Sequence, residues 1–182
     1  MITRKNTYKY MNTQHDNVMR YENALNYLKT YDENNDLDTN RLSKEAYQYS
    51  IKIYQSKIFE NITRKGLSIT IHNVSSIFQT LYNIGILSIN YLGCLKRVDK
   101  EELMNENFEL FRKKNRDYGD SFEDYELIGI LVRINDKVNR MLTLLESRRE
   151  ASVMDEKIED TINDLYNYCI IGLMYKPKDG VI

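Results

Sequence analysis

Leu127-Ile128-Gly129-Ile130-Leu131-Val132-Arg133-Ile134-Asn135-Asp136-Lys137-Val138-Asn139-Arg140-Met141-Leu142-Thr143-Leu144-Leu145 is the stretch on which the fold turns. Leu127, Leu131, Ile134, Val138, Met141 and Leu145 recur at alternating steps of four and three. That is the period of an α-helix with one face in a core. Ile128, Ile130 and Val132 widen the apolar arc and confine Glu126, Arg133, Asp136, Lys137 and Arg140 to a narrow strip. A charged strip on a mostly apolar helix suits a site between helices. It equally suits a solvated, ion-paired face, for which Asp136 and Arg140 at i,i+4 are well spaced.

The same logic extends outward and predicts an all-α protein, a helical bundle with an N-terminal helical extension. Asp120 and Ser121 are suited to cap the helix over about 122–146, and Ser147 to Ser152 form a charged loop. Asp155 is placed to cap a last helix reaching about Tyr175, shortly before Pro177, the only proline. Upstream, Asp99-Lys100-Glu101-Glu102 puts acids at a positive helix start, and that helix ends at Gly119. Val74 to Lys96 is apolar on much of its circumference and is read as the central helix. Leu67 to Ile71 is ambiguous between a short strand and a connector, and is read as a connector. Ser43 starts a helix with Tyr47, Ile51, Tyr54, Ile58 and Ile62 on one face and Gly66 as its stop. The first helix is predicted from near Asn17 to about Tyr31, with Asp32 to Asp36 as a loop. A soft boundary near Val98 separates an N-terminal helical region, 1–98, of unassigned role from a C-terminal helical part, 99–182.

Composition narrows the function classes. Lys and Arg number 26 against 27 Asp and Glu, a net charge of -1. Generic nucleic-acid binding, which needs a basic excess to neutralise phosphates, is therefore not expected. Cys94 and Cys169 sit beside apolar residues and read as reduced core thiols. With His15 and His72 as the only histidines, nothing has zinc spacing. The start of the chain lacks the apolar run of a signal peptide, and Ile84 to Cys94 is too short to span a bilayer. A cytoplasmic protein without membrane contact is expected. Wide apolar helix faces predict a homodimer or higher oligomer.

Three segments carry candidate chemistry. On the last helix, Glu156, Asp160 and Asp164 fall at i, i+4 and i+8, with Glu159 and Asn163 beside them and Asn167 following. The first-turn acids have an explanation in the helix dipole. Asp164 lies deeper, before Leu165, Tyr166, Cys169 and Ile170, and needs a cation. Either a metal or Arg133 or Arg140 across the bundle would serve. Carboxylates on facing helices suit magnesium, which prefers oxygen ligands. The third segment, Lys113-Lys114-Asn115-Arg116-Asp117-Tyr118-Gly119, is a basic helix end with cations suited to phosphates and a tyrosine suited to stacking on a base.

Lys114 to Phe122, Leu131 to Arg140 and Asp155 to Leu165, taken in order, resemble the phage and bacterial nucleotide modification associated domain of the first type. The resemblance covers about 106–174. More distantly, the chain is similar to all-α nucleoside triphosphate pyrophosphatases of the MazG and dimeric dUTPase kind. The resemblance implies phage-type nucleotide processing, with Mg2+-dependent hydrolysis of a canonical or modified nucleoside triphosphate as the leading reaction. It implies catalytic roles for Asp136, Asp164 and Glu126, and metal ligation by Asp136, Asp160, Asp164 and Glu159. Lys114, Arg116, Asp117, Tyr118, Arg133, Lys137, Arg140 and Asn167 would then contact a nucleotide or nucleotide-derived small molecule. The chain departs from the pyrophosphatase pattern of paired acids on each helix, since Glu126 and Asp136 are ten residues apart. Two alternatives accompany that reading: capture of a nucleotide or signalling dinucleotide without cleavage, as in a counter-defence sponge, and a structural role in a nucleotide-modification complex.

Overall fold

The computed structural model describes residues 4–35, 42–63, 74–118, 126–146 and 157–175, and within them the side chains of 16–33, 42–58, 75–116, 127–146 and 157–175. All of the secondary structure among these residues is helical: α1 (Arg4–Asn35), α2 (Lys44–Thr63), α3 (Val74–Lys96), α4 (Lys100–Tyr118), α5 (Glu126–Glu146) and α6 (Ile158–Leu173). No helix among them is long and apolar enough to cross a membrane.

α3 is the central helix, as its sequence requires. Every residue from Thr80 to Gly93 is buried. Its most extensive seam is with α6; α2 and α5 pack along one side of this central pair, and α1 and α4 along the other. The seam is close because α6 presents Gly172 to it. A Cβ at Gly172 would come within 2.8 Å of Leu81 Cδ1. The α5 stripe behaves as predicted, with Leu131, Ile134, Val138 and Met141 fully buried. Leu127 and Leu145 close its two ends.

Helix ends follow from local chemistry. Ser43 caps α2: its Oγ accepts the Ala46 N–H at 3.1 Å and its carbonyl accepts the Tyr47 N–H at 2.9 Å. Asp99 starts α4, with its carboxylate accepting the Glu101 N–H at 2.8 Å. α3 stops where Arg97 takes a left-handed φ of 56° and the Val98 N–H turns back to the Gly93 carbonyl at 3.1 Å. A Cβ at residue 93 would sit 3.0 Å from the Val98 carbonyl oxygen, so glycine fits this return. α6 begins at Ile158 with Lys157 as its N-cap. The predicted cap Asp155, the stop signals Gly66 and Gly119, the caps Asp120 and Ser121, the 147–152 loop and the ambiguous 67–71 segment lie outside the described residues.

Two expectations are corrected. α1 does not end at Tyr31 but continues through Asp32–Asn35, and it begins at Arg4 rather than near Asn17. Tertiary anchors carry it past its polar residues. Tyr31 stacks on Tyr82 at 4.8 Å, Lys29 pairs with Glu101 at 2.6 Å, and Asp32 pairs with Lys100. Cys94 is exposed rather than in the core, because the last turn of α3 emerges into solvent from Cys94 to Arg97. Cys169 is buried as expected.

Candidate functional site

α5 carries polar residues on two flanks. Towards α2, the Gln55 amide donates to Asn135 Oδ1 at 3.0 Å and to Asn139 Oδ1 at 2.6 Å, and Lys52 pairs with Glu146 at 2.6 Å. Towards α6, Lys137 Nζ donates to Asp164 Oδ2 at 2.8 Å. That ion pair is where the charged strip of α5 meets the acids of α6. The side chains are 22% and 41% exposed, so the pair lies at an open edge of the bundle and not inside it. The partner is Lys137 rather than Arg133 or Arg140. Partial exposure answers the sequence problem that Asp164 posed. The carboxylate keeps much of its hydration, and one cation suffices to hold it.

The other predicted residues fall around this edge in different directions. Arg133 and Arg140 lie one turn to either side of Lys137 and are exposed. Asp136 is exposed and turned about 100° around α5 from Lys137. Asp160 is one turn before Asp164 on the same side of α6, exposed, and its carboxylate accepts the Lys157 N–H at 3.4 Å. Glu159 is about 140° around the helix from Asp164. Lys114 and Arg116 are exposed on the last turn of α4, a helix that packs on α3 and α1 and, among the described residues, makes no comparable seam with α5. Asp117 and Tyr118 belong to that turn by their backbone; their side chains and that of Glu126 lie outside the described ones.

No three His, Cys, Asp or Glu side chains come together among the described residues.

Asn167 is not at this edge. Its Oδ1 accepts the Tyr21 hydroxyl at 2.9 Å. Its Nδ2 donates to the Asn163 carbonyl at 3.0 Å and to Asn107 Oδ1. Asn107 Nδ2 in turn donates to Asn163 Oδ1 at 2.8 Å and to the Leu103 carbonyl at 2.9 Å. Tyr21 is stacked between Phe108 and Phe111, with centroids at 5.6 and 4.3 Å. Burial pushes the Tyr21 phenol far above its ordinary value, so it stays protonated and remains a donor. This network ties α1, α4 and α6 together through neutral groups. Sequence reasoning missed Asn107 and the hydrogen bond that the Tyr21 hydroxyl makes. The signal was available: Asn107 shares the helical register of Leu103 and Phe111, so α4 carries an amide on its core face.

Residues 114–175 match the family described as nucleotide modification associated domain 1. The match starts on the last turn of α4, spans α5 and α6 and ends at Tyr175, close to the 106–174 expected from the motifs. No curated protein and no solved structure matches the chain.

Proposed function

We propose that this chain binds a nucleotide or nucleotide-derived small molecule at the α5–α6 edge, with Arg133, Lys137 and Arg140 facing its phosphates. The observation that supports this most is the Lys137–Asp164 pair, 2.8 Å long and partly open to solvent, in the middle of the segment that matches the nucleotide-associated family. A lysine held by one carboxylate at an open edge can exchange that partner for a phosphate, since an exposed ion pair is weak. Arginines one turn to either side add planar donors suited to phosphate oxygens.

Hydrolysis of a phosphoanhydride is the second reading, with Mg2+ as cofactor and Asp136, Asp160, Asp164 and Glu126 as its acids. The placement of Asp160 and Asp164 one turn apart on the same open side of α6 favours it. The purified chain is titrated with canonical and base-modified deoxynucleoside triphosphates, with and without magnesium, while heat of binding and ligand integrity are both followed. Binding of intact ligand, weakened at least tenfold by Arg133→Ala or Lys137→Ala and indifferent to magnesium, supports the binding reading. Turnover that needs magnesium and vanishes in Asp164→Ala replaces it with hydrolysis. No heat and no turnover with any nucleotide removes both.

A further inference from the structure

α4 has a polarity that the nucleotide reading does not use. Its first half carries Glu101, Glu102, Glu106 and Glu109, and its last turns carry Arg112, Lys113, Lys114 and Arg116. Its inner face is committed to α1 and α3. Its outer face forms a shallow open groove of about 740 Å³, lined among the described residues by Glu102, Asn105, Glu106, Glu109, Leu110 and Lys113. Leu110 is 39% exposed there. No ion pair joins Glu106 or Lys113 to another described residue.

We infer that this face binds the same face of a second copy of the chain, with the two α4 helices antiparallel across a two-fold axis at Leu110. Charge complementarity selects the occupant. Glu106 lies four residues before Leu110 and Lys113 three after it. At a rise of about 1.5 Å per residue, these positions are about 6 and 4.5 Å from the axis. In an antiparallel pair each Glu106 therefore comes level with the other copy's Lys113 to within about 1.5 Å. The contact is repeated by symmetry, as an isologous interface requires. At the centre the two Leu110 side chains cover each other. Glu109, next to the axis, is already neutralised by Arg112 of its own helix at 2.9 Å, so like charges do not meet bare across the contact. A parallel pair would oppose acid to acid along the first half of the helix and is disfavoured.

A single 19-residue helix pair is about 28 Å long and gives an interface at or below the small end of stable ones, so the association is weak and depends on concentration.

Sedimentation equilibrium of the full chain, over a concentration series and at low and high salt, tests this. A monomer–dimer equilibrium weakened by salt is expected. Glu106→Lys and Lys113→Glu should each lower association at least tenfold, Leu110→Asp should abolish it, and the double exchange Glu106→Lys with Lys113→Glu should restore it. Circular dichroism of each variant confirms that the helices remain. A chain that stays monomeric throughout, an oligomer indifferent to all four changes, or single exchanges that the double one fails to rescue would overturn the inference. None of these readings depends on nucleotide.

Discussion

The two polar flanks of α6 solve the same problem in opposite ways. Asn163, Asp164 and Asn167 lie within five residues of one another on one helix. On the flank facing α1 and α4, Asn163 and Asn167 join Asn107 and Tyr21 in a neutral network whose members Tyr21 and Asn107 are 0% and 3% exposed. On the flank facing α5, Asp164 makes one ion pair and keeps much of its water. The difference follows from desolvation. An amide can enter the interior once its hydrogen bonds are made, whereas a carboxylate there would need far more compensation. The neutral flank therefore ties α1, α4 and α6 together, and the charged flank stays in contact with water.

The largest effect that separates them is alkaline. Tyr21, Tyr47 and Tyr166 are all pushed above the ordinary tyrosine value of 10.0, in each case chiefly by burial. The folded state then holds these protons where the unfolded state releases them. Stability is complete below pH about 10 and falls as pH rises beyond it, by up to about 1.4 kcal/mol per pH unit for each such group. Cooperative unfolding, followed by circular dichroism, should coincide with the last part of the tyrosinate absorbance, that of the buried tyrosines. Ionisation of all 15 tyrosines while the helices persist would mean that the buried phenols are open to water.

Second in size is the network itself. Asn167→Leu leaves the Tyr21 hydroxyl and Asn107 Oδ1 without partners in the interior, at about 2–4 kcal/mol. Chemical denaturation measures this. Adding Asn107→Leu and Tyr21→Phe removes the orphaned groups and should recover most of the loss. A single variant as stable as the native chain would demote the network to an incidental contact.

How much of this was legible beforehand depended on what kind of signal carried it. The helices α3 and α5 were readable because their apolar periodicity is a local property, and Leu127 to Leu145 landed in the core as its spacing required. α1 was misjudged at both ends. What extends it past Tyr31 is a set of contacts with residues 82, 100 and 101, which a local reading of Asp-Glu-Asn-Asn does not contain. Asp164 was read as entering the core and needing a cation; it has one but stays 41% exposed, and the choice of Lys137 over its arginine neighbours depends on the rotation of α5 against α6. Asn167 was grouped with the acids before it, although a step of three residues carries it about 60° around the helix, enough to turn it towards α1 and α4. Only a packing arrangement tells those two directions apart.

The smallest effect tests the outer flank and separates holding from handling. Asp164→Asn removes the negative half of the Lys137 pair but keeps its shape and an acceptor oxygen. Because the carboxylate is 41% exposed, water and salt screen the interaction, and the loss of stability should be below about 1 kcal/mol. The freed lysine also has a route to solvent, so it is not stranded as a buried charge would be. If the edge handles an anion, this same change should do more to binding than to folding. With its competitor neutral, Lys137 is released towards phosphate, and affinity for a nucleotide should rise while the denaturation midpoint barely moves. Paired titrations of ligand and denaturant on the one variant measure both. A loss of several kcal/mol with no gain in affinity would make Lys137–Asp164 a fastening of the same kind as the amide network, and the contrast between the two flanks would disappear.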